Sequence, residues 1–244
     1  MMWDCAYVCE TGLRARQEDR VLLGGAVHAQ GQGEANLAGD IILAVMDGVG
    51  GEQHGDLAAQ LAGEALIGLA AKAPDEEMAR GWVELAHQAV LGGQASSPMH
   101  RRMATTVAGL ALGAERWLAF NTGDSRVYAF RDGVLRQLSQ DHSLAYELRL
   151  SANARQEEIP ANIITRSLGS AQWAPSVFAF PEPAQADIQF VLCTDGVWGS
   201  LSQEEFEELL GRDTSKLARC RAIVEKALAN GAADNLSIII GGLL

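Results

Sequence analysis

Short apolar runs bounded by glycine, aspartate or asparagine recur along the chain, at 3–9, 20–28, 41–46, 105–112, 117–121, 125–131, 134–138, 163–168, 175–180, 188–194 and 236–241. Their length and alternation predict strands. Arg131-Asp132-Gly133 predicts a tight hairpin between Phe130 and Val134, because Asp-Gly readily supplies the positive φ values such a turn needs. The strands on either side are then antiparallel. Helical spacing appears over 55–72 (Leu57, Leu61, Ala65, Leu69 on one face), 78–92 (Trp82, Leu85, Ala89), 203–211, and 215–229 (Leu217, Cys220, Val224, Leu228). Ser202 before Gln203-Glu204-Glu205 reads as a helix N-cap. The order is strands, two consecutive helices, many strands, then helix and a last strand. It lacks the βαβ alternation of a doubly wound parallel sheet and predicts a layered α+β domain. Residues 143–162 begin helix-like and turn polar, which predicts a surface flap.

The acidic residues sit where these strands stop. Ile41 to Met46 runs into Asp47-Gly48, Phe190 to Thr194 runs into Asp195-Gly196, and Asp234-Asn235 opens the last apolar run. Asp124 follows the run at 117–121, and Glu18-Asp19 precede Val21-Leu22-Leu23. Stacked strands would gather these carboxylates at one end. At an effective dielectric near 20, each pair of charges ~5 Å apart repels by roughly 3 kcal/mol, so a shared pocket calls for hard divalent cations with oxygen ligands.

The formal net charge of −12 argues against a nucleic-acid ligand, whose binding relies on Lys and Arg neutralising phosphates. Part of that charge would be compensated by bound metal; part is solvated surface, as in Asp75-Glu76-Glu77. The 244 residues carry 48% hydrophobic content, enough for one large domain or two small ones. No apolar run has membrane length, and the N-terminus has no secretory pattern, so the expectation is a cytoplasmic protein with no membrane partner. Cys5, Cys9, Cys193 and Cys220 lack metal-type spacing and read as reduced core thiols. The stretch from Gly48 to Gly51 lacks the Gly-Lys-Ser/Thr ending of a nucleotide-binding phosphate loop, which argues against an ATPase.

Eight motifs in order carry a resemblance that spans nearly the whole chain: 12–19 (GLRARQED), 45–51 (VMDGVGG), 104–106 (ATT), 123–128 (GDSRVY), 141–144 (DHSL), 164–169 (ITRSLG), 193–198 (CTDGVW) and 234–237 (DNLS). Together they resemble the metal-dependent serine/threonine protein phosphatases of type 2C, small single-domain bacterial members in particular. The resemblance implies a single catalytic domain over 1–244, built as a four-layer α-β-β-α sandwich of two antiparallel sheets flanked by helices. It implies hydrolysis of phosphoserine and phosphothreonine by in-line attack of a hydroxide bridging two Mn²⁺ or Mg²⁺ ions. Asp47 would bridge the ions, Asp195 and Asp234 would complete the first, and Asp19 with the Gly48 carbonyl would hold the second, assisted by Glu18. Asp124 with Asp195 matches the place of a third ion. Arg14 would clamp phosphate with its planar fork of donors; the alternative is an arginine paired with Glu18 or lying on the surface. The implied partners are phosphorylated proteins, a serine/threonine kinase or its substrates, and the implied state is a monomer.

The sequence departs from the family at Val49 and Glu52, where histidine is common in eukaryotic and bacterial members respectively. Gln17 replaces a usual asparagine, and Ala104 a usual glycine. His54 has two readings, a general acid reaching the leaving oxygen or a solvent-exposed loop residue; metal-bound water is another proton source. His142 reads as a packing or hydrogen-bonding residue. A second class remains beside the enzyme, a catalytically weak regulatory domain of the same fold, although such domains typically lose metal ligands and Asp19, Asp47, Asp195 and Asp234 are all present.

Overall fold

The computed structural model describes residues 1–49, 54–150 and 163–244. The chain forms β1 (Met2–Glu10), β2 (Arg20–Leu23), β3 (Ala26–His28), β4 (Gly31–Ala38), β5 (Ile41–Met46), β6 (Gly48–Val49), α1 (Gly55–Ala65) and α2 (Glu76–Ser96). There follow β7 (Ala104–Thr105), β8 (Val107–Leu112), β9 (Trp117–Thr122), β10 (Arg126–Arg131), β11 (Val134–Gln137) and α3 (Leu144–Leu150). The last elements are β12 (Ser176–Phe180), β13 (Gln189–Cys193), α4 (Asp195–Trp198), α5 (Gln203–Leu210), α6 (Lys216–Ala229) and β14 (Leu236–Leu243).

Two antiparallel six-stranded sheets result, ordered β11-β10-β13-β14-β1-β4 and β12-β9-β8-β5-β2-β3. Trp3, Tyr7, Val21, Leu43, Leu110, Phe190 and Ile239 belong to the core between them. On the outer face of the first sheet, Val191, Ile238 and Ile240 pack with Phe206, Ile223 and Val224 of α5 and α6. On the outer face of the second, Ala44, Met46 and Phe120 pack with Ala58, Ala62, Trp82 and Val83 of α1 and α2. Both faces of the central strands are therefore covered, which is why β8 and β9 are buried at every position and read as continuous apolar runs rather than alternating ones. The architecture is the expected four-layer α+β sandwich. The Asp132-Gly133 turn has both φ values positive, and Arg131 pairs with Val134 across it. Ser202 accepts from the Glu205 amide in a full capping box. All four cysteines are free and buried.

Several expectations are corrected. The run at 20–28 is two strands, because Gly24 and Gly25 turn the chain with φ of 65° and 76°. The edge strand β4 had no apolar signal, and its residues alternate between exposed and half-buried. α1 stops at Ala65 rather than 72, with Gly68 beyond it at φ 79°, and α2 starts earlier than 78 because Asp75 caps it through the Met78 amide. Residues 163–168 form no strand: their backbone bonds scatter to Leu144, His142, Gln172 and Thr105, leaving isolated bridges at Ser143–Ile164 and Thr105–Leu168. The helix-like start of the expected flap is α3, and 151–162 lie outside the described residues.

Candidate metal centre

Asp47, at the end of β5, is fixed through its backbone. Its N–H donates to Thr106 Oγ1 (3.0 Å), and its carbonyl accepts from the Thr106 amide (2.9 Å) and the Thr105 hydroxyl (2.8 Å). Gly48 and Val49 pair with Thr105 and Ala104. A side chain at Gly48 would run into the backbone of Gly55 and the Glu18 carbonyl, so the start of α1 crosses directly over the strand end.

The other carboxylates are held by equally direct means. Thr194, just before Asp195, donates its hydroxyl to Asp19 Oδ2 (2.9 Å) and accepts from the Ser237 amide (3.1 Å). Asn235, just after Asp234, accepts from the Glu18 amide (2.8 Å) and donates to the carbonyls of Thr11 (2.8 Å) and Arg16 (2.9 Å), pinning the 11–18 loop. Asp124 follows Gly123 (φ 108°), whose amide donates to His142 Nδ1 (3.1 Å). The Asp124 carbonyl accepts from Trp198 Nε1 (3.0 Å), and Arg126 lies 3.4 Å over the Trp198 ring while forking onto Asp141 (2.9 and 2.6 Å).

These side chains share one electrostatic environment. Burial, followed by the charges of Asp19, Asp195, Asp124 and Asp234, pushes the Asp47 carboxyl well above the usual carboxylate range. Asp19 and Asp124 are each pushed to about 7, by burial first and by neighbouring acids including Asp195. Asp195 is raised by burial and then by Asp234. Asp124 Oδ1 and Asp195 Oδ1 are buried with no hydrogen-bond partner among the described residues. A buried carboxylate oxygen without a donor is costly, and a divalent cation is the partner whose chemistry matches it. Among the described residues no three of these side chains close into a ligand cage, since Asp234 is turned to Arg14 and Asp19 to Thr194.

The family model for protein phosphatase 2C matches residues 31–230. The chain belongs to that family. The serine/threonine phosphatase stp of Listeria monocytogenes is 28% identical over 211 residues, 82% of this chain and 83% of that protein. The crystal structure of the Mycobacterium tuberculosis serine/threonine phosphatase PstP/Ppp superposes with a TM-score of 0.84 at 26% identity, covering 100% of this chain and 99% of that one. The catalytic domain of the serine/threonine protein phosphatase PstP in complex with two manganese ions has a TM-score of 0.80, 26% identity and 99% coverage of both chains.

The residues that the protein phosphatase 2C resemblance singles out fall as follows. Asp19, Asp47, Asp124, Asp195 and Asp234 are brought together. Glu18 stands beside them, raised by burial and then by the charge of Asp56, with Arg14 and the Gly55 amide pulling the other way. Arg14 pairs with Asp234 (2.7 Å) and the Ala233 carbonyl (3.2 Å) rather than with Glu18; it is half exposed and feels the charges of Asp195 and Asp47. His54 is the left-handed residue (φ 65°) ahead of α1, with its ring edge-on to His100 at 4.6 Å. His142 is buried and held near 4 by desolvation; Nδ1 accepts from Gly123, so Nε2 carries the proton toward Ser176 Oγ (2.9 Å). Its role is hydrogen bonding, as expected. Gln17 accepts from the Asp19 amide (3.0 Å). Gly50, Gly51 and Glu52 lie outside the described residues.

Sequence reasoning missed Thr194, Ser125, Gly55 and the work of Asn235. Thr194 and Ser125 adjoin acids already singled out, and that adjacency was the available signal. Gly196 adds a prediction: a Cβ there would overlap the Asn235 carbonyl oxygen. Gly196→Ala is expected to cost ~1–3 kcal/mol, lowering the melting temperature by roughly 3–10 °C. Gly92→Ala, which meets nothing within 4 Å, is the control and is expected to melt no lower than the parent. Equal melting of the two variants would contradict the crowding described.

Proposed function

We propose that the chain is a metal-dependent phosphoprotein phosphatase acting on phosphoserine and phosphothreonine, with residues 1–244 as one catalytic unit. The observation that carries this reading is the pair of buried, partnerless oxygens, Asp124 Oδ1 and Asp195 Oδ1, inside a cluster of five mutually repelling aspartates. Asp47, Asp195, Asp234 and Asp19, with Glu18 and the Gly48 carbonyl, would hold two Mn²⁺ or Mg²⁺ ions, and Asp124 would hold a third. When bound, such ions supply Lewis acidity and charge neutralisation for displacement at phosphorus.

The protein's own groups do the rest. Arg14 stands half exposed at the edge of the cluster, and its fork binds phosphate once it leaves Asp234. Thr105 and Thr106 keep the Asp47 backbone still, and Asn235 keeps the Arg14 loop against Asp234. The substrates are the phosphoproteins of a serine/threonine kinase, met by a monomer in the cytoplasm; no helix among the described residues is long and apolar enough to cross a membrane.

Chelator-treated protein is expected to release no phosphate from a phosphothreonine peptide and to regain activity as Mn²⁺ is titrated in. Activity that survives chelation, or none at any Mn²⁺ concentration with folded protein, would overturn the proposal; the latter outcome would favour the regulatory domain.

A further inference from the structure

Thr106 lies between β7, which pairs with β6, and β8 of the second sheet, fully buried, and its hydroxyl faces two ways. It accepts from the Asp47 amide at 3.0 Å and stands 2.8 Å from Ser125 Oγ, itself fully buried at the start of β10 in the first sheet. Its side chain also flanks Gly123, where a Cβ would come within 2.6 Å of Thr106 Cβ. Thr106 therefore touches the residues on both sides of Asp124 while bonding directly to Asp47, and it does so across the seam between the sheets.

We infer that Thr106, with Ser125 as its partner, is a positioning residue that sets the spacing between Asp47 and Asp124 for cation binding. The inference rests on the proposed metal-dependent function. Neither hydroxyl needs to touch an ion. A bond across the seam that joins the group holding the Asp47 amide to the residue next to Asp124 converts the packing of two sheets into a fixed carboxylate separation, and groups that orient metal ligands typically change affinity by about 10–100-fold when removed.

The test is calorimetric titration of chelator-treated protein with Mn²⁺, alongside melting of the metal-free state. Thr106→Val keeps the shape and loses the hydroxyl; Thr106→Ser keeps the hydroxyl. The expected result is Mn²⁺ affinity weakened about 10–100-fold in Thr106→Val and close to the parent in Thr106→Ser. A merely structural hydroxyl would lower the metal-free melting temperature of Thr106→Val and leave its Mn²⁺ affinity unchanged, and that result would overturn the inference. Should Thr106→Val fail to fold, Ser125→Ala breaks the same bond from the other side; unchanged affinity there would be equally fatal. A parent chain that binds no Mn²⁺ would instead defeat the functional reading beneath it.

Discussion

Asp47→Asn is expected to abolish phosphate release and, at the same time, to raise the melting temperature of the metal-free protein. The two effects have one origin. Asp47 is packed among Asp19, Asp195, Asp124 and Asp234, and their combined charge with burial makes its ionised form unfavourable. Asparagine has nearly the same shape, so the backbone bonds to Thr105 and Thr106 survive. One buried negative charge is gone, and the metal-free fold gains by losing its repulsion. The same loss removes a carboxylate that would help hold the cations, whose Lewis acidity is worth several kcal/mol, so kcat is expected to fall at least ~1,000-fold. Stability gained where function is lost is the usual signature of a strained site. Phosphopeptide hydrolysis with saturating Mn²⁺ and thermal melting in chelator measure the two halves. Activity within tenfold of the parent, or a lower metal-free melting temperature, would contradict the assignment of Asp47.

The metal-free protein is further expected to lose stability as pH rises from about 4 to about 7. Asp19 and Asp124 are raised from 3.8 to about 7, and Asp47, Asp195 and Glu18 are raised as well. In that window the folded state keeps protons that the unfolded chain has released, so stability is greatest below the unfolded pKa and falls as pH climbs through the folded one. His142, held near 4, and His87, lowered by burial, act in the opposite sense up to about pH 6.5, but the raised acids outnumber them. Cations should replace the protons: at a Mn²⁺ concentration ~100 times Kd, binding adds about 2.7 kcal/mol, or roughly 5–10 °C in a chain of this size. Melting followed from pH 5 to 7.5, in chelator and in excess Mn²⁺, checks this. Metal-free stability that rises to pH 7.5 and ignores Mn²⁺ would show that the acids do not form one site.

The sequence by itself determined the coarse alternation of strands and helices, the Asp132-Gly133 hairpin, the Ser202 cap and which acids sit at the ends of strands, because each of these is written within a few consecutive residues. Period-2 and apolar runs report local burial, and aspartate after a buried strand reports a charge at a strand end. β4 escaped because an edge strand with polar and small residues buries too little to leave a pattern, and 163–168 misled because its backbone bonds scatter to several separate segments instead of following one partner strand. Only the tertiary structure decided how the acids are held. Thr106 meets Ser125 across 19 residues, Thr194 meets Asp19 across 175, and Asn235 meets Glu18 across 217. It also decided that Arg14 takes Asp234, 220 residues away, and not neighbouring Glu18. A hydrogen bond depends on distance in space, and distance in space between two sheets is fixed by how their apolar faces stack, which local spacing along the chain does not encode.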